Sequence, residues 1–368
     1  MERPAHLGED EGALTPLVGT RARVRPDGLR RVLVRLPNWL GDVCLAAPTI
    51  AALDRALPPG AEIVAAARPG VASIARRLPR VTETIVLSDE RSTRALPRLV
   101  AAYRAARADA ALVFPRSFRA ALPAFLARVP LRVGLPGDGR RGLLTHVARP
   151  PGPLRGVHRS ATYAAILSPL GLASEVDPWR LEPEPEAFAW VDAWRGAGNG
   201  TPDRPLVTIE PGGAYGTAKR WPEAAYAELC RRLVIEDGAE VVLVGTSDAA
   251  ALPARIAAAA GAPLRSAAGA TDLPRRAALL ARARLLVTND TGPMHLAAAV
   301  GTPILALFGS TDPDVCGPRG TGPITVLRDR VPCSPCWLRV CPIEGHPCLD
   351  PMRVERVLDA ARRLLARA

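Results

Sequence analysis

Residues 31–57 read R-V-L-V-R-L-P-N-W-L-G-D-V-C-L-A-A-P-T-I-A-A-L-D-R-A-L. The first six form a short β-branched run, the next few carry proline and glycine, and the remainder is apolar at helical spacing. A strand, a glycine-containing turn and a helix in that order open a parallel α/β sheet. The pattern continues with strands predicted at 62–66, 82–87 and 110–114 and helices at 71–77 and 94–107. A second alternating series begins at Leu206, with strands at 205–210, 239–245, 284–290 and 303–309 and helices at 222–235, 248–260, 273–283 and 292–300. Two βα series of similar size predict an α/β chain of two Rossmann-like lobes whose parallel sheets face one cleft. The expected divisions are a poorly ordered extension over 1–29, a first lobe over 30–185, a linker over 186–204, a second lobe over 205–350 and a last helix over 351–368.

Length and composition agree with two lobes. The chain has 368 residues, 48% of them hydrophobic and 23% charged, as in ordinary globular proteins. No apolar run is long enough to span a bilayer and the first thirty residues contain no apolar signal core, so a cytoplasmic protein is expected. The formal charge of +12 implies an anionic partner. Aromatic residues make up only 4% and do not alternate with arginine, which argues against nucleic acid. Arginines are densest between Arg116 and Arg159, where they can form a pocket wall for an anion or simply a solvated face.

The basic residues hold a second signal. Lys and Arg together number 48, and every one except Lys219 is Arg. A slim ammonium suits a phosphate oxygen in a tight site better than a planar guanidinium does. Lys219 closes the glycine-rich stretch P-G-G-A-Y-G-T-A-K (211–219), which matches neither G-x-G-x-x-G nor a P-loop, because Arg220 and Trp221 follow the lysine. Loops at the carboxyl ends of parallel strands converge on the ligand, which brings this stretch towards 38–42, 245–248 and 289–295. In the last of these, Asp290 and Thr291 can cap the helix opening at Gly292, whose first-turn amides form a ready anion site. His295 on that helix is either a ligand contact or a satisfied structural histidine. Asp42 opens the first helix of the other lobe; it can act as a general base, or merely complement the helix dipole.

The stretch V-P-C-S-P-C-W-L-R-V-C-P-I-E-G-H-P-C (331–348) gathers Cys333, Cys336, Cys341, His346 and Cys348. C-x-x-C beside two further thiols is compatible with a structural zinc or other metal, with reduced or redox-active thiols, or with disulfides. In each case it is expected to brace the loop before the last helix, outside catalysis.

Four segments together resemble glycosyltransferase family nine: V-L-V-R-L-P-N-W-L-G-D-V (32–43), F-P-R-S-F-R-A-A-L-P-A-F-L-A (114–127), E-P-G-G-A-Y-G-T-A-K-R-W-P-E (210–223) and T-N-D-T-G-P-M-H-L-A-A-A-V-G-T-P-I-L-A-L-F-G-S-T-D-P (288–313). The resemblance implies a GT-B architecture, with the last helix crossing back to the first lobe. It implies an inverting, metal-independent transfer of heptose from ADP-heptose to a phosphorylated, lipid-linked inner-core glycan, with no catalytic cofactor. Asp42 maps onto the family's base and Lys219 onto its donor-phosphate ligand. Asp290, Thr291, Gly292 and His295 fall on the donor side with Gly212, Gly213, Tyr215 and Thr217, and Asp248 lies near the donor's ribose. Asn38, Trp39, Arg116, Ser117 and Arg119 fall on the acceptor side. A monomer, in peripheral contact with the inner membrane leaflet, fits this reading. Another donor or acceptor, a nucleotide-sugar epimerase and a non-enzymatic basic binding protein remain as alternatives.

Overall fold

The computed structural model describes residues 24–88, 92–154, 156–173, 176–197 and 204–367. The first lobe contains β1 (Arg31–Arg35), α1 (Leu40–Ala56), β2 (Glu62–Ala67), α2 (Ala72–Ala75), β3 (Val81–Val86), α3 (Leu96–Ala105), β4 (Ala110–Val113), α4 (Phe118–Leu126), β5 (Leu131–Gly134), β6 (His146–Val147) and α5 (Arg159–Ala164). Helix α6 (Pro185–Gly196) leads to the second lobe. There follow β7 (Leu206–Glu210), α7 (Glu223–Ile235), β8 (Glu240–Leu243), α8 (Ala251–Ala260), β9 (Arg265–Ser266), α9 (Leu273–Arg282), β10 (Leu285–Asn289), α10 (Gly292–Val300), β11 (Ile304–Phe308), α11 (Pro313–Cys316), β12 (Ile324–Arg328) and α12 (Val354–Leu365).

Each lobe has a six-stranded sheet with parallel pairing throughout, ordered β3-β2-β1-β4-β5-β6 in the first and β12-β11-β10-β7-β8-β9 in the second. Read from the first strand of each lobe, both follow the same order, and the direction of winding reverses beside β1 and β4 and again beside β7 and β10. Those switch points open the crevices where ligands of such sheets bind. The apolar runs fit the topology. Val32, Leu33 and Val34 are all buried, as are all five residues of β7, of β10 and of β11, because helices cover both faces of a parallel sheet.

The lobes join through α1 and α10, and the apolar cluster around β1 and α1 runs on into Met294, Leu296 and Ala297 of α10. Alanines at 297–299 keep α10 slim, and Gly301 ends it in the left-handed conformation with φ 84°.

Several expectations shift. The extension lies outside the described residues up to residue 23, but Leu29 is buried and the Val24 amide donates to the Pro169 carbonyl at 3.3 Å, so its end belongs to the first lobe. Helix α6, within the expected linker, packs on α9 of the second lobe. Helix α12 packs chiefly on α7, β10 and β11 instead of crossing to the first lobe, because Val357, Leu358, Ala361 and Leu364 fill the core of the second lobe. Strands β5, β6, β9 and β12 and helix α4 are not read from the sequence; β6, β9 and β12 are short edge strands that bury too little to show an apolar period, and β5 has only four residues.

Candidate active site

The turn after β1 places Asp42 in the first helical turn of α1. Its Oδ1 accepts the Tyr163 hydroxyl at 2.9 Å and Arg159 Nη1 at 3.4 Å, both from α5. Tyr163 keeps its proton because burial and the Asp42 charge push its pKa well above the usual value. Burial lowers the pKa of Arg159, but Asp42, Tyr163 and Cys316 together outweigh it and the guanidinium stays charged. Asp42 is thus an oriented carboxylate with one oxygen committed.

Beyond β4, Ser117 caps α4 by accepting the Ala120 amide at 3.3 Å. A cavity of about 280 Å³ opens here, lined by Arg35, Asn38, Ser117 and Arg119 on one side and Leu87 and Tyr103 among its apolar walls. Asn38 Oδ1 accepts from Arg35 Nη2 at 2.7 Å. Two of the expected acceptor residues stand apart from this cavity: Trp39 is exposed at the start of α1, and Arg116 turns to the Pro136 carbonyl at 2.9 Å. Arg140 of the Arg-rich segment is neither a pocket wall nor a solvated face: it is fully buried and spends its guanidinium on the carbonyls of Val113, Pro115 and Leu135. Burial lowers its pKa to about 10. Arg155 lies outside the described residues.

On the second lobe, Lys219 Nζ meets Asp290 Oδ2 at 2.5 Å, with both side chains nearly buried, and lies 4.6 Å from the Tyr215 ring centre. Thr311 Oγ1 at 2.8 Å and Cys316 Sγ at 3.4 Å donate to the same oxygen. Burial alone raises the Asp290 pKa, but the Lys219 ammonium, His295 and Thr311 outweigh it and hold the carboxyl below its usual range.

The expected capping by Asp290 and Thr291 does not occur. Asp290 is committed to Lys219, and Thr291 Oγ1 pairs with Thr288 Oγ1 at 3.2 Å, so among the described residues no side chain caps α10. The first-turn amides of that helix therefore lack a side-chain acceptor, which suits an arriving anion. His295 is buried, its pKa is lowered to about 4 by burial, and its Nδ1 has no partner among the described residues. Gly292 faces Leu40 and Gly41 of α1, and a Cβ on Gly41 would lie 2.7 Å from His295 Cδ2. The start of α1, with Asp42, therefore meets the start of α10. Gly212 and Gly213 form the turn below Lys219, while Thr217 is exposed beside it. Asp248 is exposed on a 3-10 turn after β8.

Residues not singled out in the sequence complete the site. Asn289 is buried, donates to the carbonyls of Pro211 at 2.8 Å and Gly212 at 3.2 Å, and accepts from the Tyr226 hydroxyl at 2.9 Å and the Trp221 amide at 3.3 Å. It ties the two donor-side loops together, and its place beside Asp290 was the only clue. Tyr163 carried no signal, because its helix is remote in sequence from Asp42.

Among the described residues no group of three or more His, Cys, Asp and Glu is arranged to bind a metal ion, and all four cysteines of the 331–348 segment are free thiols. His346 is turned to the Ala218 carbonyl at 3.0 Å, and Cys348 is buried with its pKa pushed up to about 11 by burial. Cys333, Cys336 and Cys341 are partly buried and lie near Cys348, whose pKa their charges also raise.

A double Rossmann-like fold with an oriented carboxylate on one lobe and an ammonium-and-helix anion site on the other defines a group-transfer enzyme of the GT-B class. The profile of glycosyltransferase family 9 (heptosyltransferase) matches residues 97–346, and the chain belongs to that family. It is 32% identical over 305 residues to lipopolysaccharide heptosyltransferase 2 of Escherichia coli K12, covering 78% of this chain and 85% of the relative. The structure of E. coli ADP-heptose LPS heptosyltransferase II superimposes with a TM-score of 0.75 at 28% identity, over 92% of this chain and 99% of that one. A family 9 glycosyltransferase from Veillonella parvula shares the fold with a TM-score of 0.82 at 22% identity, over 94% of this chain and all of that one. No helix among the described residues is long and apolar enough to cross a membrane.

Proposed function

We propose that this chain transfers a heptose from ADP-heptose to a phosphorylated inner-core acceptor of lipopolysaccharide, with inversion and without a catalytic metal ion. The observation that carries this reading is the Lys219–Asp290 pair beside the uncapped start of α10, set across the lobe junction from Asp42. Both bonds to Asp42 fall on Oδ1, so Oδ2 takes the proton of the acceptor hydroxyl. The acceptor oxygen then bonds to the anomeric carbon from the face opposite the nucleotide, and the bond from that carbon to the diphosphate breaks. Lys219, the α10 amides and the Nδ1–H tautomer of His295 take up the charge on the departing ADP, which replaces the electrostatic role a divalent cation would fill. Gly212, Gly213, Tyr215 and Thr217 shape the diphosphate pocket, and Asp248 meets the ribose. On the acceptor side, the cavity with Asn38, Ser117 and Arg119 receives the anionic glycan, and Trp39 and Arg116 flank its approach.

The acceptor's lipid calls for access to a membrane surface. Phe118, Phe125 and Leu126 are exposed on α4, with Arg128 exposed beyond them and the Arg132 guanidinium 5.5 Å from the Phe125 ring centre. Apolar side chains among arginines suit peripheral contact with an anionic leaflet. The chain acts as a monomer in this scheme.

The test is transfer by purified protein together with thermal stabilisation by ADP-heptose against GDP- and UDP-sugars. Asp42→Ala is expected to abolish transfer, a loss of roughly a hundredfold or more, while calorimetry shows near-normal ADP binding. Transfer at the normal rate by Asp42→Ala would remove the carboxylate from the mechanism.

A further inference from the structure

The segment between β12 and α12 that carries Cys333, Cys336, Cys341 and Cys348 lies against the loop of Lys219. Arg339 Nε donates to the Tyr215 carbonyl at 2.7 Å, and the Tyr215 hydroxyl donates to the Trp337 carbonyl at 2.6 Å. The Ala218 amide donates to the Arg339 carbonyl at 3.0 Å, while the Ala218 carbonyl accepts from His346 Nε2 at 3.0 Å. The contact is so close that a Cβ on Gly216 would lie 2.1 Å from the Arg339 carbonyl oxygen. Gly216 is therefore required by the approach of a second backbone.

The same segment is fastened on its other side to the end of β11. Ser334 Oγ donates to the Gly309 carbonyl at 2.6 Å and the Trp337 amide to the Ser310 carbonyl at 2.8 Å. The next residue, Thr311, donates to Asp290 at 2.8 Å. One strap thus bridges the lysine's loop and the loop that supports the lysine's carboxylate partner. The need for it is physical. Residues 211–219 contain three glycines and only one 3-10 turn, Thr217–Lys219, so their ordering has a large conformational cost that local structure does not offset.

We propose that Arg339 and His346 are positioning residues for the transfer reaction, and that the cysteine-bearing segment is a strap that holds Lys219 where the diphosphate leaves. The proposal rests on the reading of Lys219 as a leaving-group contact. Arg339 fixes Tyr215, whose ring lies beside the Lys219 ammonium, and His346 fixes Ala218, the neighbour of Lys219 in the chain. Neither side chain takes part in bond making.

The experiment combines steady-state transfer with ADP binding by calorimetry, on full-length protein whose folding is checked by circular dichroism. Arg339→Ala, His346→Ala and Gly216→Ala are each expected to lower kcat by roughly ten- to a hundredfold with a smaller rise in donor KM, because a displaced Lys219 fails chiefly in the transition state. His346→Gln, which can donate to the same carbonyl, is expected to restore most of the rate. In a Lys219→Ala background, Arg339→Ala should weaken ADP binding by less than twofold, since its route is already gone. An equal loss in both backgrounds, or normal kcat in Gly216→Ala, overturns the strap. Wild-type protein that fails to bind ADP at all overturns the donor reading beneath it, a result distinct from either.

Discussion

Lys219 was singled out because arginine occupies every other basic position, and the structure gives a reason for the exception. Its ammonium lies between the Asp290 carboxylate at 2.5 Å and the Tyr215 ring at 4.6 Å, and a compact point charge meets both where a planar guanidinium on a longer stem would be displaced. Lys219→Arg is therefore expected to lose most transfer activity although the charge is kept, with kcat as the measurement. Tyr163→Phe removes a hydrogen bond to a charged oxygen without opening space, and a loss of about tenfold in kcat is expected. An unchanged kcat would mean that Arg159 alone orients Asp42. Asp42 and Lys219, the two residues proposed to carry the reaction, stand out in the sequence because their signals are local: a carboxylate in a first helical turn, an ammonium after glycines. Their partners do not, since Tyr163, Arg159, Thr311 and Cys316 reach them only after the chain folds back across long separations.

At the scale of elements, the site is made by pairs of loops, and two residues govern how each pair meets. Asn289 joins the loops after β7 and β10 through four hydrogen bonds. Asn289→Asp keeps both acceptor contacts but sets a carboxylate against the Pro211 and Gly212 carbonyls. A destabilisation of about 3 kcal/mol in urea unfolding, with a raised donor KM, is the expected result. Gly41 governs the meeting of α1 and α10. In an ordinary helix interior, Gly→Ala stabilises by about 1 kcal/mol. Here the new Cβ would lie 2.7 Å from His295 Cδ2, backed by a buried ring that cannot swing away, so the helices must part. Gly41→Ala is expected to lower transfer without raising the melting temperature, and a more stable, fully active variant would refute the close approach.

Across the whole molecule, buried titratable groups set opposing limits on stability. His158 joins the lobes by donating Nε2–H to the Gly317 carbonyl at 3.1 Å and accepting at Nδ1 from Ser160. Burial lowers its pKa to about 4, as it does for His295. A depressed folded-state pKa means that the unfolded chain takes up protons first. The stability these histidines contribute is complete above about pH 6.5 and is lost as pH falls towards 4, by up to about 3 kcal/mol each. His158→Gln should flatten that acid limb in urea titrations. Glu210, beneath the glycine turn, has the opposite sign. Burial raises its pKa to about 7 despite Arg276 nearby, so the stability linked to its neutral form is present below about pH 4.5 and is lost as pH rises through 7. Glu210→Gln is expected to gain stability at pH 8.5 relative to wild type and to change little at pH 4.

The sequence by itself determined the two lobes, the alternation of strand and helix and the loops in which Asp42, Lys219 and Asp290 lie. Those features follow from apolar period, glycine placement and side-chain chemistry, all of which act over a few residues. Only the tertiary structure decided that α12 stays on the second lobe, that Arg140 is a buried structural cation and that the cysteine segment is spent on the Lys219 loop. Each of these depends on which surface is covered by a distant part of the chain, and desolvation, not residue type, then sets what the side chain can do.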